Sequence, residues 1–138
     1  MLVKCFGAAV QGINATVVTI EVNVSQGIKF FLVGLPDSAV RESRERILSA
    51  LTHNRYKFPR QQVIINMAPA DIKKEGSSFD LPLAIGLLKS STQLLAETDG
   101  IVFLGELSLD GGIRGVAGIL PMLISAREKG FKRAIIPA

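Results

Sequence analysis

Val18, Ile20, Val22 and Val24 alternate with Thr19, Glu21 and Asn23, and a period of two puts the apolar members on one face of a half-buried strand. That strand spans 15–24, and a Gly-Ile-Asn turn joins it to an earlier one over 2–10. Residues 29–33 predict a third strand, closed by Gly34-Leu35-Pro36, and the turn Ser25-Gln26-Gly27 predicts that it pairs with the second as a hairpin. The pattern then changes period. Asp37 or Ser38 caps a predicted helix running to about Thr52, with Val40, Ile47, Leu48 and Leu51 as its apolar stripe.

The stretch 53–60 is a polar, basic connector, and the β-branched run 62–68 predicts a fourth strand. A loop from Pro69 to Ser78 leads to a helix over about 80–90, whose Pro82 fits a first turn where no backbone donor is needed. Residues 101–109 read as a strand, Asp110-Gly111-Gly112 as a tight turn, and 113–116 as a short continuation. A last helix over about 119–129 stops at Gly130, and 132–136 is a final strand. The order β-β-β-α-β-α-β-β-α-β, without repeat or linker, describes one compact α+β domain.

Composition narrows the chemistry. The chain has 138 residues, the size of one domain, and its 48% hydrophobic content suffices for a sizeable core. Apolar runs such as Leu81–Leu88 fall far short of the roughly 20 residues of a membrane span. The N-terminus lacks the layout of a signal peptide, so cytoplasm is the expected compartment, with no membrane partner. Cys5 is the only cysteine and His53 the only histidine. Counting alone therefore removes an internal disulfide, a thiolate metal cluster and every two-histidine zinc motif. Cys5 is expected to pack, and His53 to cap the helix before it.

Two segments bear on chemistry. In Lys73-Lys74-Glu75-Gly76-Ser77-Ser78-Phe79-Asp80 the serines stand where a helix starts. They fit either plain helix caps or a nucleophile whose oxyanion the backbone N–H groups would hold. In Gly105-Glu106-Leu107-Ser108-Leu109, Glu106 lies on a strand leading into the Asp-Gly-Gly turn. The basic residues divide as well. Arg41–Glu45 and Glu42–Arg46 sit at i,i+4 and can neutralise each other on the helix surface, leaving Arg44 least compensated. The connector's Arg55, Tyr56, Lys57 and Arg60 lie in a stretch with no acidic residue from Thr52 to Ala70. They suit phosphate contact with a base stacked on Tyr56, or an exposed loop. Lys73 and Lys74 extend this patch if the two loops converge.

The serine and glutamate segments, in this order, resemble the proteolytic domain of Lon. There a Gly-Pro-Ser-Ala-Gly serine opens a helix, and a Gly-Glu strand precedes a helix carrying the catalytic lysine. The match places Ser78 on the nucleophile, Glu106 on the glutamate and Met122 on the lysine. Met122 takes no proton, and a serine without a base is a weak nucleophile. No catalytic residue is therefore expected, with a Lon-type Ser-Lys peptidase using Ser78 as the alternative.

A longer set of motifs resembles the YifB/ComM family of magnesium-chelatase-like AAA+ ATPases. It comprises Lys4-Cys5-Phe6-Gly7-Ala8-Ala9, Val33-Gly34-Leu35-Pro36-Asp37-Ser38-Ala39-Val40, Glu42-Ser43-Arg44-Glu45-Arg46, and Asn66-Met67-Ala68-Pro69-Ala70-Asp71 with Lys74-Glu75-Gly76. The resemblance implies a Lon-protease-like fold, also described as ribosomal small-subunit protein domain-2-like. It makes residues 1–138 the N-terminal Lon-like domain, with an AAA+ ATPase domain expected downstream. No Gly-x-x-x-x-Gly-Lys-Ser/Thr occurs here. No cofactor or metal is thus expected in this domain, and ATP with Mg is expected in the parent's ATPase. The implied role is an accessory domain, for DNA contact or oligomerisation, of a homo-hexameric DNA helicase and branch-migration motor of competence and recombination. Its partners would be its own ATPase domain and DNA. A subunit of a metal-insertion complex is the further alternative.

Overall fold

The computed structural model describes residues 1–138. Strands β1 (Leu2–Gln11) and β2 (Asn14–Ser25) form a long antiparallel hairpin, with Leu2 opposite Asn23 and Gln11 opposite Asn14. The turn needs Gly12 at φ +62°, where a side chain would be strained. Val18, Ile20, Val22 and Val24 are all buried, as their alternation requires.

The expected hairpin between the second and third strands does not form. Strand β4 (Gln62–Ala68) takes the place beside β2, antiparallel from Thr19–Ala68 to Ser25–Gln62, and β3 (Phe30–Val33) lies outside it, parallel to β4. Burial explains the choice. Three side chains of β4, Val63, Ile65 and Met67, are at most 1% exposed, whereas β3 has four residues and buries none. The connection between them is helical, as a parallel pair demands. It breaks in two at Glu42, giving α1 (Ser38–Arg41) and α2 (Ser43–His53) in place of one helix. Asp37 is the cap, its Oδ1 accepting the Val40 N–H at 2.8 Å. At the far end Asn54, not His53, ties the helix down by donating to the carbonyls of Ala50 and Asp110.

Helix α3 (Asp80–Ser90) has the expected bounds. The predicted strand 101–109 divides into β5 (Ile101–Phe103) and β6 (Glu106–Leu107). At the break, Leu104 N–H donates to Ile135 and Gly105 N–H to Ser78, so the backbone bonds leave in different directions. Strand β5 is parallel to β1 and to β8 (Arg133–Ile135), while β6 makes a small hairpin with β7 (Ile113–Arg114) around Asp110-Gly111-Gly112. The six-stranded sheet has the order β3-β4-β2-β1-β5-β8.

Its two faces carry different helices. Ile47 and Leu51 of α2 and Phe79, Leu83 and Leu87 around α3 join the inner side chains of β2 and β4 in a core of 21 buried residues. Gly86 permits this approach, because a Cβ there would lie 2.6 Å from Cγ2 of Val22. Helix α4 (Ile119–Glu128) covers part of the opposite face, where Met122 and Ala126 pack with Ala8, Val102 and Leu104. No helix is long and apolar enough to cross a membrane.

Candidate functional site

Ser78 lies just before α3 and is 5% exposed. Neither serine hydroxyl caps that helix; Phe79 occupies the cap position with no side-chain bond. Backbone groups do the tying instead. The Ser78 carbonyl accepts Gly105 N–H at 3.2 Å, the Gly105 carbonyl accepts Leu81 N–H at 3.1 Å, and Ser77 accepts Asp80 N–H at 3.2 Å. Pro82 has no N–H to give. Two of the first N–H groups of the helix, those of Asp80 and Leu81, are thus used within the fold.

No lysine donates to Ser78. Met122, at the matched position, is 3% exposed in the apolar cluster under α4, across the sheet from the body of α3. The exposed side chain in the first turn of α4 is Leu120. Lys89 donates to Thr98 Oγ1 at 2.7 Å, and Lys74 donates to the Pro69 carbonyl. Lys74 is wholly buried, and desolvation lowers its pKa against the opposing pull of Asp71. Glu106 stands opposite Arg114 in the strand register of the small hairpin. No three histidine, cysteine, aspartate or glutamate side chains gather where they could hold a metal ion.

Beside the serine is a polar constellation that sequence pairing rules missed. Asp80 is fully buried, and its carboxylate accepts from Ser43 Oγ at 2.6 Å, Arg46 Nε at 2.6 Å, Arg46 Nη2 at 3.0 Å and Leu107 N–H at 3.0 Å. Arg46 also donates to the Ala39 carbonyl, and the bond to Asp80 raises its pKa. The expected surface pairs Arg41–Glu45 and Glu42–Arg46 are replaced by Arg46–Asp80 and an exposed Arg44–Glu45 contact at 3.6 Å. The cause is Asp80, since a carboxylate buried among apolar neighbours needs a cation more than a solvated Glu42 does. The available signal was that aspartate at the mouth of an apolar helix.

The structure gathers Arg55, Tyr56, Lys57 and Arg60 along a groove of about 1170 Å³ at the start of β4, with Arg44 on its other side. Acidic residues are absent from its lining. Phe30 and Phe58 stack at 6.1 Å with 29° between their planes, and the Arg44 guanidinium lies over both rings at 5.4 and 5.5 Å. The connector is pinned rather than loose. Gln93 accepts Lys57 N–H at 2.8 Å and donates to the Lys57 carbonyl at 2.7 Å. Two of the three non-glycine residues with positive φ, Arg55 at +66° and Thr92 at +62°, lie on or beside this groove. Strained backbone of this kind gathers at functional surfaces.

Lys73 and Lys74 do not join it. They follow the other end of β4, whose seven residues at about 3.3 Å each separate the loops by about 20 Å. Lys74 is also buried, and Lys73 lies 3.6 Å from Glu75. Sequence reasoning missed Phe58 on the connector itself, and Phe30 and Gln93, which reach the groove from other elements.

Comparison with known proteins adds three likenesses. A family model described as subunit ChlI of Mg-chelatase matches residues 20–138. Competence protein ComM of Haemophilus influenzae is 44% identical over 135 residues, covering 96% of this chain and 26% of that protein. YifB of Escherichia coli is 43% identical over 126 residues, covering 90% of this chain and 25% of that protein. The chain spans about a quarter of the length of these two relatives. More distantly, peroxisomal Lon protease homolog 2 of Caenorhabditis elegans is 26% identical over 139 residues, 96% of this chain and 18% of that protein, in keeping with a Lon-like α+β fold.

Proposed function

The chain belongs to the magnesium-chelatase-like ChlI family together with ComM and YifB, and from that premise we propose that it is a non-proteolytic, nucleic-acid-contacting accessory domain of an ATP-driven AAA+ motor. The observation that carries the contact is the pinned groove with four cations, three aromatic rings and no acid. The serine corner supports the non-proteolytic part, because no lysine donates to Ser78, and Lys74 and Lys89 are bonded elsewhere. ATP hydrolysis belongs, in this reading, to another domain of a cytoplasmic homo-hexamer that acts on DNA as a helicase or branch-migration motor. Such a ring would multiply weak contacts by avidity. The competence named for one relative, ComM, fits this assignment.

The test is nucleic-acid binding by the chain across a salt titration. Three phosphate contacts give a log–log slope of about −2 to −3. The triple substitution Arg55→Ala, Lys57→Ala, Arg60→Ala should flatten it with folding unchanged. A wild-type chain that binds no nucleic acid at low salt, or casein hydrolysis abolished by Ser78→Ala, would overturn the proposal.

A further inference from the structure

We infer that the groove is a slot for an unpaired nucleic-acid strand, with Tyr56 and the Arg44–Phe30–Phe58 stack as the surfaces that receive bases. This rests on the groove contacting nucleic acid at all, and narrows that contact to one strand state. Phosphate contact with a duplex needs cations on an accessible surface; it needs neither concavity nor aromatic rings, because duplex bases are already stacked on one another. Here the cations alternate with rings along the connector, Arg55-Tyr56-Lys57-Phe58, before Arg60. That interleaving suits a strand whose phosphates and bases both need partners.

Arg44 adds the second surface. Its guanidinium lies against Phe30 and Phe58 instead of extending into solvent, although its side chain stays 42% exposed. The only ion pair it makes, with Glu45 at 3.6 Å, is itself exposed, with 67% of the Glu45 side chain accessible. Pairs of this kind bind weakly and leave the cation available. A planar guanidinium backed by rings offers a flat, charged face on which a base stacks, which a lysine would not provide. Tyr56, 46% exposed, stands on the connector that Gln93 holds in place. Both surfaces are therefore preformed, and little ordering cost falls on binding.

Fluorescence anisotropy at low salt tests this, using a labelled twelve-nucleotide oligothymidine and a twelve-base-pair duplex against the chain. Single strand should bind about tenfold tighter than duplex, and Tyr56→Ala should weaken single-strand binding about 5- to 100-fold with duplex binding within about twofold. Arg44→Lys keeps the charge but should lose most of the preference. Thermal melting of each variant accompanies the titrations; both side chains are exposed, and if one variant is destabilised the other carries the test. Duplex bound as tightly as single strand sinks the slot and leaves nucleic-acid contact standing. A preference that survives both substitutions sinks the assignment to these residues. Binding of neither probe removes the proposed function along with the slot.

Discussion

Replacing Arg46 with methionine tests the buried clamp, because it removes the cation while keeping most of the side-chain volume. Asp80 would keep Ser43 Oγ and Leu107 N–H as donors and lose both contacts to the guanidinium. Removing one partner of a buried pair typically costs about 3–5 kcal/mol. The Arg46 side chain is 22% exposed while that of Asp80 is fully buried, so water reaches one end of the pair and the lower figure, about 3 kcal/mol, is expected. For a chain of this length that lowers the melting temperature by about 10–15 °C. Urea denaturation with an unchanged m-value gives the free energy directly. Glu42→Gln is the control, since helical spacing would make Glu42 the partner of Arg46; its cost should stay below about 0.5 kcal/mol. If Arg46→Met costs under about 1 kcal/mol, or no more than Glu42→Gln, the clamp is not what holds α2, α3 and β6 together.

Three further outcomes follow from burial. Met122→Lys puts an amine among Ala8, Val102, Leu104 and Ala126; it should destabilise by about 2–5 kcal/mol in a urea melt and create no casein hydrolysis. Burial pushes the Cys5 thiol up to about 11 from 9.0, with Lys89 and Thr98 opposing. The folded state therefore favours the protonated thiol, and stability present below pH 9 declines between about pH 9 and 11, by up to about 2–3 kcal/mol. Cys5→Ala, measured alongside, should lack that part of the decline, and the native thiol should resist a disulfide reagent at pH 8. Finally, Lys73→Gln and Lys74→Met should leave the salt slope of nucleic-acid binding unaltered in an anisotropy titration; a slope that falls by about one unit for either would place that lysine on the contact surface.

What was legible in the sequence was local. The alternation in β2, the Asp37 cap, the bounds of α3 and the Asp-Gly-Gly turn each depend on residues within a few positions of one another. The largest misplacements are questions of which distant segment supplies a partner. Residues 30–33 make a strand in either pairing, but β4 claims β2 because it buries more, and nothing near Gly27 encodes that competition. The same holds for Arg46, whose partner by helical spacing, Glu42, is four residues away and whose actual partner is 34 residues away. The groove was half legible. Arg55, Tyr56, Lys57, Phe58 and Arg60 share the short connector, whereas Phe30, Arg44 and Gln93 arrive from β3, α2 and the turn after α3.

The serine corner matches the Lon motifs in order and differs from them in its surroundings. Nucleophilic catalysis at a helix start requires free N–H groups, a base beside the hydroxyl and room for an acyl group. At this corner Gly105 bonds Ser78 and Leu81 through its N–H and its carbonyl, Phe79 is fully buried against Gly7, and Asp80 ties the start of α3 to α2 and β6. These contacts stabilise the fold, and they take up two of the helix-start N–H groups and the space between Phe79 and Gly7. Met122 in the lysine's place is therefore one departure among several, and an amine there would lie across the sheet from the body of α3. In the proposed non-proteolytic reading, the contacts that hold this corner are also the ones that stand against a reactive serine. The polar surface left open to a partner lies instead at the opposite end of β4, where the cations are exposed and the backbone holds them in place.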